Sequence, residues 1–194
     1  MSQKTRFIIY GIVAVILTAT YFIKESKTTI RLPVIGKIPA FSFIDSHGDE
    51  INRRNLDGKV WVADFIFTTC AGPCPIMSTE MRSVHKTYLE NKNINMVTIT
   101  VNPDYDTPEV LTEYGNRYDA DFDKWHFLTG EYEKIQSLIA NGFKMGDIEE
   151  IVFHSTRFAL IDPNMNIRGY YMGTENEDVK KLIGDIKILI REFS

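Results

Sequence analysis

Residues 60–67 read VWVADFIF and break at once into TTCAGPCP. A nearly continuous apolar run of this kind is the signature of a strand buried on both faces, which requires helices on either side of the sheet that holds it. Gly72, Pro73 and Pro75 supply turn chemistry directly after it, and residues 75–89 then carry a helical pattern. The chain is therefore built around a strand, a tight turn and a helix, with Cys70 and Cys74 on the turn. Its 194 residues, 44% hydrophobic and 25% charged, suffice for one such domain and an appendage. With a formal net charge of -4 and no cluster of Lys and Arg, the chain lacks the footprint of a protein that grips a nucleic-acid backbone. Two cysteines cannot staple a small secreted scaffold, but four positions apart they can carry chemistry.

The remaining pattern alternates short apolar runs with helices from Ala40 onward, which is an α/β arrangement. Residues 41–44 and 50–51 flank Asp45-Ser46-His47-Gly48, a hairpin signal. NMVTITV at 95–101 is a second buried strand. Thr107-Pro108-Glu109 opens a helix over 108–119, with Thr107 as N-cap and Pro108 at the first helical position. A short strand at 126–128 follows, then a helix over 132–140 closed by Asn141-Gly142. Strands 157–161 and 167–171 form a hairpin around Asp162-Pro163-Asn164, and 178–193 is the last helix. The order of hairpin, βαβαβ, hairpin and helix resembles a thioredoxin-like fold with an N-terminal hairpin extension.

Ahead of this domain, residues 7–23 read FIIYGIVAVILTATYFI without a charge, between Lys4 and Arg6 on one side and Lys24 and Lys27 on the other. At about 1.5 Å per residue this stretch spans about 25 Å, the short end of what crosses a bilayer core, and Tyr10, Tyr21 and Phe22 suit its interfaces. It is longer than a usual signal-peptide core and no Ala-x-Ala cleavage site follows, so an uncleaved signal-anchor is expected. The expected organisation is a cytoplasmic N-terminus at 1–6, a transmembrane signal-anchor at 7–23, a tether at 24–39 marked by Pro33, Gly36 and Pro39, and the folded domain at 40–194. The flanking basic residues are balanced and do not set the orientation, so the cytoplasmic side for residues 1–6 is what the family resemblance of the folded domain implies.

Thiols at i and i+4 lie on one side of a helical turn, close enough to share a metal ion or to form a disulfide. A helix N-terminus presents free N–H groups and positive potential, which favour the thiolate that both uses need. Thiolates select soft ions, Cu(I) or Zn(II), and two sulfurs leave the coordination sphere incomplete. Four histidines are candidates for a third ligand. His47 sits at a hairpin tip and reads as a solvated turn residue. His85 lies about three turns beyond Cys74, a packing or surface position, and His126 in WHFL reads as a half-buried strand residue. His154 stands just before a strand whose approach, in a thioredoxin-like fold, lies across from the cysteine turn; on these grounds it is the best of the four. Met77 and Met81 extend the cysteine stripe at helical spacing, and core filling is the expected role of such a stripe.

Taken together, these segments resemble the SCO/SenC family of membrane-anchored copper proteins with a thioredoxin-like domain. The resemblance rests on FIFTTC through Cys74-Pro75, on residues 98–108 (TITVNPDYDTP), and on His154-Ser155-Thr156 with Leu160-Ile161-Asp162-Pro163. It implies copper, as Cu(I) or Cu(II), held by Cys70, Cys74 and His154, and a Cys70–Cys74 disulfide when the pair is oxidised. It also implies work on the dinuclear copper centre of cytochrome c oxidase, by copper delivery or by reduction of that centre's cysteines. The oxidase copper-site subunit is the implied partner, with other copper chaperones or thioredoxin-like reductants beside it. The implied location is a bacterial inner membrane, crossed once, with the domain in the periplasm. Two positions depart from the family pattern: Asn102-Pro103 replaces Asp-Pro, and Ala71-Gly72-Pro73 fills the space between the cysteines. Two other readings use the same residues: a thiol-disulfide oxidoreductase with Cys70 attacking and Cys74 resolving, and a copper or redox sensor. Asp104, Asp106, Glu109 and Glu113 read as a solvated acidic face.

Overall fold

The computed structural model describes residues 31–146 and 156–193, together with residues 3, 7, 9–13, 15, 16 and 18. The chain divides into two compact units, Met1–Arg31 and Leu32–Ser194. In the first, residues 3, 7, 9–13, 15, 16 and 18 are helical, and Phe7, Tyr10, Ile12 and Val15 expose more than half of their surface. Among the described residues no helix is long and apolar enough to cross a membrane; the rest of the expected 7–23 span lies outside them.

The second unit is one eight-stranded sheet with helices on both faces. Its strands are β1 (Gly36–Lys37), β2 (Ser42–Asp45), β3 (Glu50–Asn52), β4 (Val60–Ile66), β5 (Ile94–Thr100), β6 (Trp125–Thr129), β7 (Arg157–Ile161) and β8 (Asn166–Met172). They lie in the order β1-β8-β7-β4-β5-β6-β2-β3. The helices are α1 (Arg53–Leu56), α2 (Pro73–Thr87), α3 (Pro108–Arg117), α4 (Tyr132–Ser137) and α5 (Asn176–Glu192). Strands β4 and β5 are buried at every residue and pair in parallel from Val60↔Ile94 to Ile66↔Thr100, as their apolar sequences require. Alternate residues of β4 feed two cores. Val60, Val62 and Ile66 meet Met77 and Met81 of α2, Leu111 of α3 and Leu182 and Ile186 of α5. Trp61, Ala63 and Phe65 meet Ile38, Leu138, Ile139 and Phe143. Met77 and Met81 are buried here, so the stripe below the cysteines is core.

Three boundaries depart from the sequence reading. Helix α2 begins at Pro73, two residues earlier than expected, because Pro73 and Pro75 fall in the first turn, where no backbone N–H is needed. Asn141-Gly142 does not close the helix after α4; the chain continues through a π-helical turn, Leu138–Phe143, and ends at Lys144, whose φ is 54°. A Cβ on Gly142 would stand 2.8 Å from Leu138 and 2.9 Å from Pro39, so the missing side chain is what lets that turn close against the preceding segment. The stretch expected to be only a tether enters the fold: Gly36 and Lys37 pair with Ile167 and Asn166, and Ile38 is fully buried. Buried Arg168 clamps it, donating to the Leu32 carbonyl at 2.6 Å, the Pro33 carbonyl at 3.2 Å and the Asp162 carboxylate at 2.9 Å. Pro33 and Gly36 mark extended chain as read, but that chain is a sheet edge.

Candidate metal centre

Strand β4 ends at Ile66, and its ladder runs one bond further, with the Val101 N–H donating to the Ile66 carbonyl at 2.8 Å. The chain then turns, the Cys70 N–H donating to the Phe67 carbonyl at 3.1 Å, and enters α2 with Gly72 as N-cap. Cys74 is thus inside the first helical turn, while Cys70 stands ahead of the helix on the turn itself. Cys74 is 5% exposed and packs with Ile66 and Met77; Cys70 is half-buried against the same cluster, and Ala71, Gly72 and Pro73 are exposed. One sulfur is open to a visitor and the other lies beneath it. Both are free thiols.

The helix N-terminus was expected to favour thiolates. For Cys74 burial outweighs it: the thiol is pushed up to about 12, first by desolvation and then by the hydrogen bond it shares with Cys70, against a lowering hydrogen bond to the Phe67 backbone. The neighbouring charges of Cys70 and Asp64 push the same way. Cys74 is therefore held as a thiol until a soft cation or a disulfide removes its proton. That donor set fits a thiophilic ion.

Of the other candidates, His85 is 1% exposed and its Nε2 accepts the Asp121 N–H at 3.2 Å, and burial holds its pKa below the usual imidazole range. His126 pairs its Nε2 with the Asn95 amide at 3.1 Å and is likewise lowered by burial. His47 is exposed, with its ring edge-on to Phe122 at 4.7 Å. All three match their non-ligand readings, and among the described residues no group of three His, Cys, Asp or Glu is placed to hold a metal. His154 lies outside the described residues. The strand it precedes is placed: β7 pairs antiparallel with β4 at Ala63↔Ala159, so Arg157 stands level with Phe65, at the sheet end that carries the cysteine turn.

Two acidic residues were misread or missed. Asp106 is not part of a solvated face; it is fully buried and accepts hydrogen bonds from Thr68 and Thr100, whereas Asp104, Glu109 and Glu113 are exposed. Asp64, at the middle of β4, is fully buried on the α2 side, accepting the Thr98 hydroxyl at 2.7 Å. At Asn102 the backbone carries the turn, its carbonyl accepting the Tyr105 and Asp106 N–H groups at 3.1 and 2.9 Å.

The SCO1/SenC family model matches residues 35–191, nearly the whole of the sheet-bearing unit. The chain belongs to the SCO1/SenC family. It is 32% identical over 164 residues to the SCO1 protein homolog of Bacillus subtilis (strain 168), covering 81% of this chain and 85% of that protein. Among solved structures it resembles BsSco, described as a member of the Sco family of cytochrome c oxidase assembly proteins, with a TM-score of 0.73 and 32% identity over 82% of this chain and 96% of that one. It also resembles copper-bound ScoI of Arabidopsis thaliana, with a TM-score of 0.64 and 31% identity over 79% and 98% of the two chains. The SCO1/SenC chain described here has the thioredoxin-like α/β fold of these proteins, as its element order implied.

Proposed function

We propose that this SCO1/SenC protein is a copper metallochaperone, taking one copper ion through Cys70, Cys74 and His154 and assisting assembly of the dinuclear copper centre of cytochrome c oxidase. In this reading residues 7–23 anchor it in a bacterial inner membrane with the domain in the periplasm, where it meets the oxidase copper-site subunit. The observation that carries the reading is the cysteine pair itself, a half-exposed thiol over a buried one at the start of α2, at the sheet end where the chain enters β7. Two thiolates suit Cu(I), an added imidazole accommodates Cu(II), and a three-coordinate site keeps an edge open for ligand exchange with a partner. The cysteine protons leave as the ion binds, so affinity falls on acidification.

A second reading has support in the same asymmetry. The more exposed Cys70 would attack a target disulfide, forming a mixed disulfide and releasing one target thiol. Cys74 would then displace the second target thiol, leaving a Cys70–Cys74 disulfide and a reduced target. Titration of the full chain in mild detergent with Cu(I) and Cu(II) against a competing chelator separates the two. The expected result is one tightly held copper, with Cu(II) binding lost in His154→Ala and all binding lost in the Cys70→Ser/Cys74→Ser variant. Wild-type Cu(II) affinity in His154→Ala would sink the ligand set, and weak, histidine-independent binding would leave the dithiol exchange.

A further inference from the structure

Cys74 is fixed by the burial of α2, whereas Cys70 precedes the helix, is only half-buried against the same cluster, and takes its backbone position from the turn. Two residues upstream that turn is gripped from another element. The Asp106 Oδ2 accepts the Thr68 backbone N–H at 3.1 Å, Oδ1 accepts the Thr68 hydroxyl, and the Thr100 hydroxyl donates to Oδ2. The carboxylate is fully buried, and among the described residues no Lys, Arg or His forms an ion pair with it. Neutral donors alone satisfy it, so each is needed. Its own loop is closed independently: the Asp106 N–H donates to the Asn102 carbonyl at 2.9 Å, and Thr100 Oγ1 accepts the Asn102 N–H at 3.0 Å. The loop is thus a rigid post, and the carboxylate reaches from it to the cysteine turn. On the far side of Cys70 the turn has no comparable tie, since Ala71 and Gly72 are exposed and Gly72 caps α2 without a side chain.

We propose that Asp106 is a positioning residue for the thiol pair: by pinning Thr68 through both its N–H and its hydroxyl, it sets where the Cys70 sulfur stands over Cys74. Two properties depend on that placement. A disulfide closes only within narrow limits of Cα separation and torsion, so a loosened turn disfavours closure. Cu(II) demands a defined ligand geometry, whereas Cu(I) accepts low coordination, so loosening costs Cu(II) more than Cu(I). The copper part of this inference rests on the chaperone reading; the disulfide part does not.

The test uses the full chain in mild detergent as wild type, Asp106→Asn, Thr68→Val and Thr68→Ser, with Thr112→Val as a structural control. Thr112, on α3, donates its hydroxyl to the Ser46 carbonyl at 2.7 Å, in the turn between β2 and β3, and makes no bond to Thr68 or Asp106. Three readouts are taken: the Cu(II) spectrum and affinity, the Cu(I) affinity, and the equilibrium in which the dithiol and oxidised glutathione become the Cys70–Cys74 disulfide and two reduced glutathiones. Asp106→Asn turns one acceptor into a donor facing a hydroxyl. It is expected to shift the Cu(II) spectrum, to weaken Cu(II) about tenfold or more with a smaller loss for Cu(I), and to move the glutathione equilibrium toward the dithiol. Thr68→Val should do the same in lesser degree, and Thr68→Ser, which keeps both donors, should behave as wild type. Thr112→Val is expected to lose some thermal stability and to keep all three readouts. A folded Asp106→Asn with wild-type spectrum and glutathione equilibrium overturns the proposal; should that variant fail to fold, Thr68→Val decides on the same terms. A wild type that binds no copper would sink the chaperone reading, and the glutathione equilibrium would still judge Asp106.

Discussion

Asp64 makes the stability of this protein depend on pH in a way that can be computed and tested. Its carboxyl is fully buried; Oδ1 accepts the Thr98 hydroxyl at 2.7 Å, Thr98 Oγ1 accepts the Trp125 indole N–H at 2.9 Å, and among the described residues Oδ2 has no hydrogen-bond partner. Burial raises the group from 3.8 to about 7, with the Thr98 bond pulling the other way. In the unfolded chain the acid ionises near 3.8, so above that pH folding must take up a proton until the medium passes about 7. Stability contributed by the protonated acid is fully present below the unfolded value and is lost as pH rises to the folded one. The two values stand about three pH units apart at ~1.4 kcal/mol each, giving a full loss on the order of 4 kcal/mol, of which roughly 2.5 falls between about pH 5 and pH 8. Asp64→Asn removes the titration, keeps an oxygen for Thr98, and puts an amide N–H where Oδ2 stands, at a pH-independent cost of about 1–3 kcal/mol. Urea unfolding of both proteins at fixed ionic strength should show the variant gaining on the wild type by roughly 2.5 kcal/mol between about pH 5 and pH 8, within about 1.5 kcal/mol of it at the lower pH and ahead at the higher, because His85 and His126 titrate alike in both and cancel. Two parallel stability curves across that range would refute the reasoning.

Two further perturbations test the frame around the site. Arg168→Met strips the donors from the Leu32 and Pro33 carbonyls and leaves Asp162, 1% exposed, without its guanidinium; a loss of about 3–5 kcal/mol in urea unfolding is expected, with faster proteolysis in the 32–38 stretch, and a loss under about 1 kcal/mol would show that the clamp is dispensable. Gly115→Ala places a Cβ 2.8 Å from the Phe122 ring and 2.9 Å from Phe127, so overpacking of about 1–3 kcal/mol should exceed the ~1 kcal/mol that alanine adds to a helix; an unchanged or higher Tm would contradict it.

What the sequence made legible here is what local chemistry decides. The apolar runs of β4 and β5, the Thr107-Pro108 start of α3 and the Asp162 turn, whose carboxylate accepts the Asn164 and Asn166 N–H groups at 2.9 Å, are all stated within a few residues. So is the cysteine pair, whose spacing and prolines declare a strand-to-helix turn. Features that depend on a distant partner were hidden or misread. Residues 32–39 read as tether because an edge strand of two residues has no periodicity, and only β8 and Arg168 make it part of the fold. Asn141-Gly142 reads as a helix stop because the close approach of Pro39 to Gly142 comes from about a hundred positions earlier in the chain. Cys74 was expected to be acidic from its helix position, and the surrounding core reversed that. Asp106, ahead of a threonine N-cap, has every local mark of a solvated acid. It lies 38 residues from Thr68, and the two meet because β4 and β5 run parallel in register, ending side by side at Ile66↔Thr100. That register brings the turn bearing Cys70 beside the loop that ends in Asp106, so the geometry of the thiol pair is set by the pairing of two strands rather than by the five residues that spell the motif.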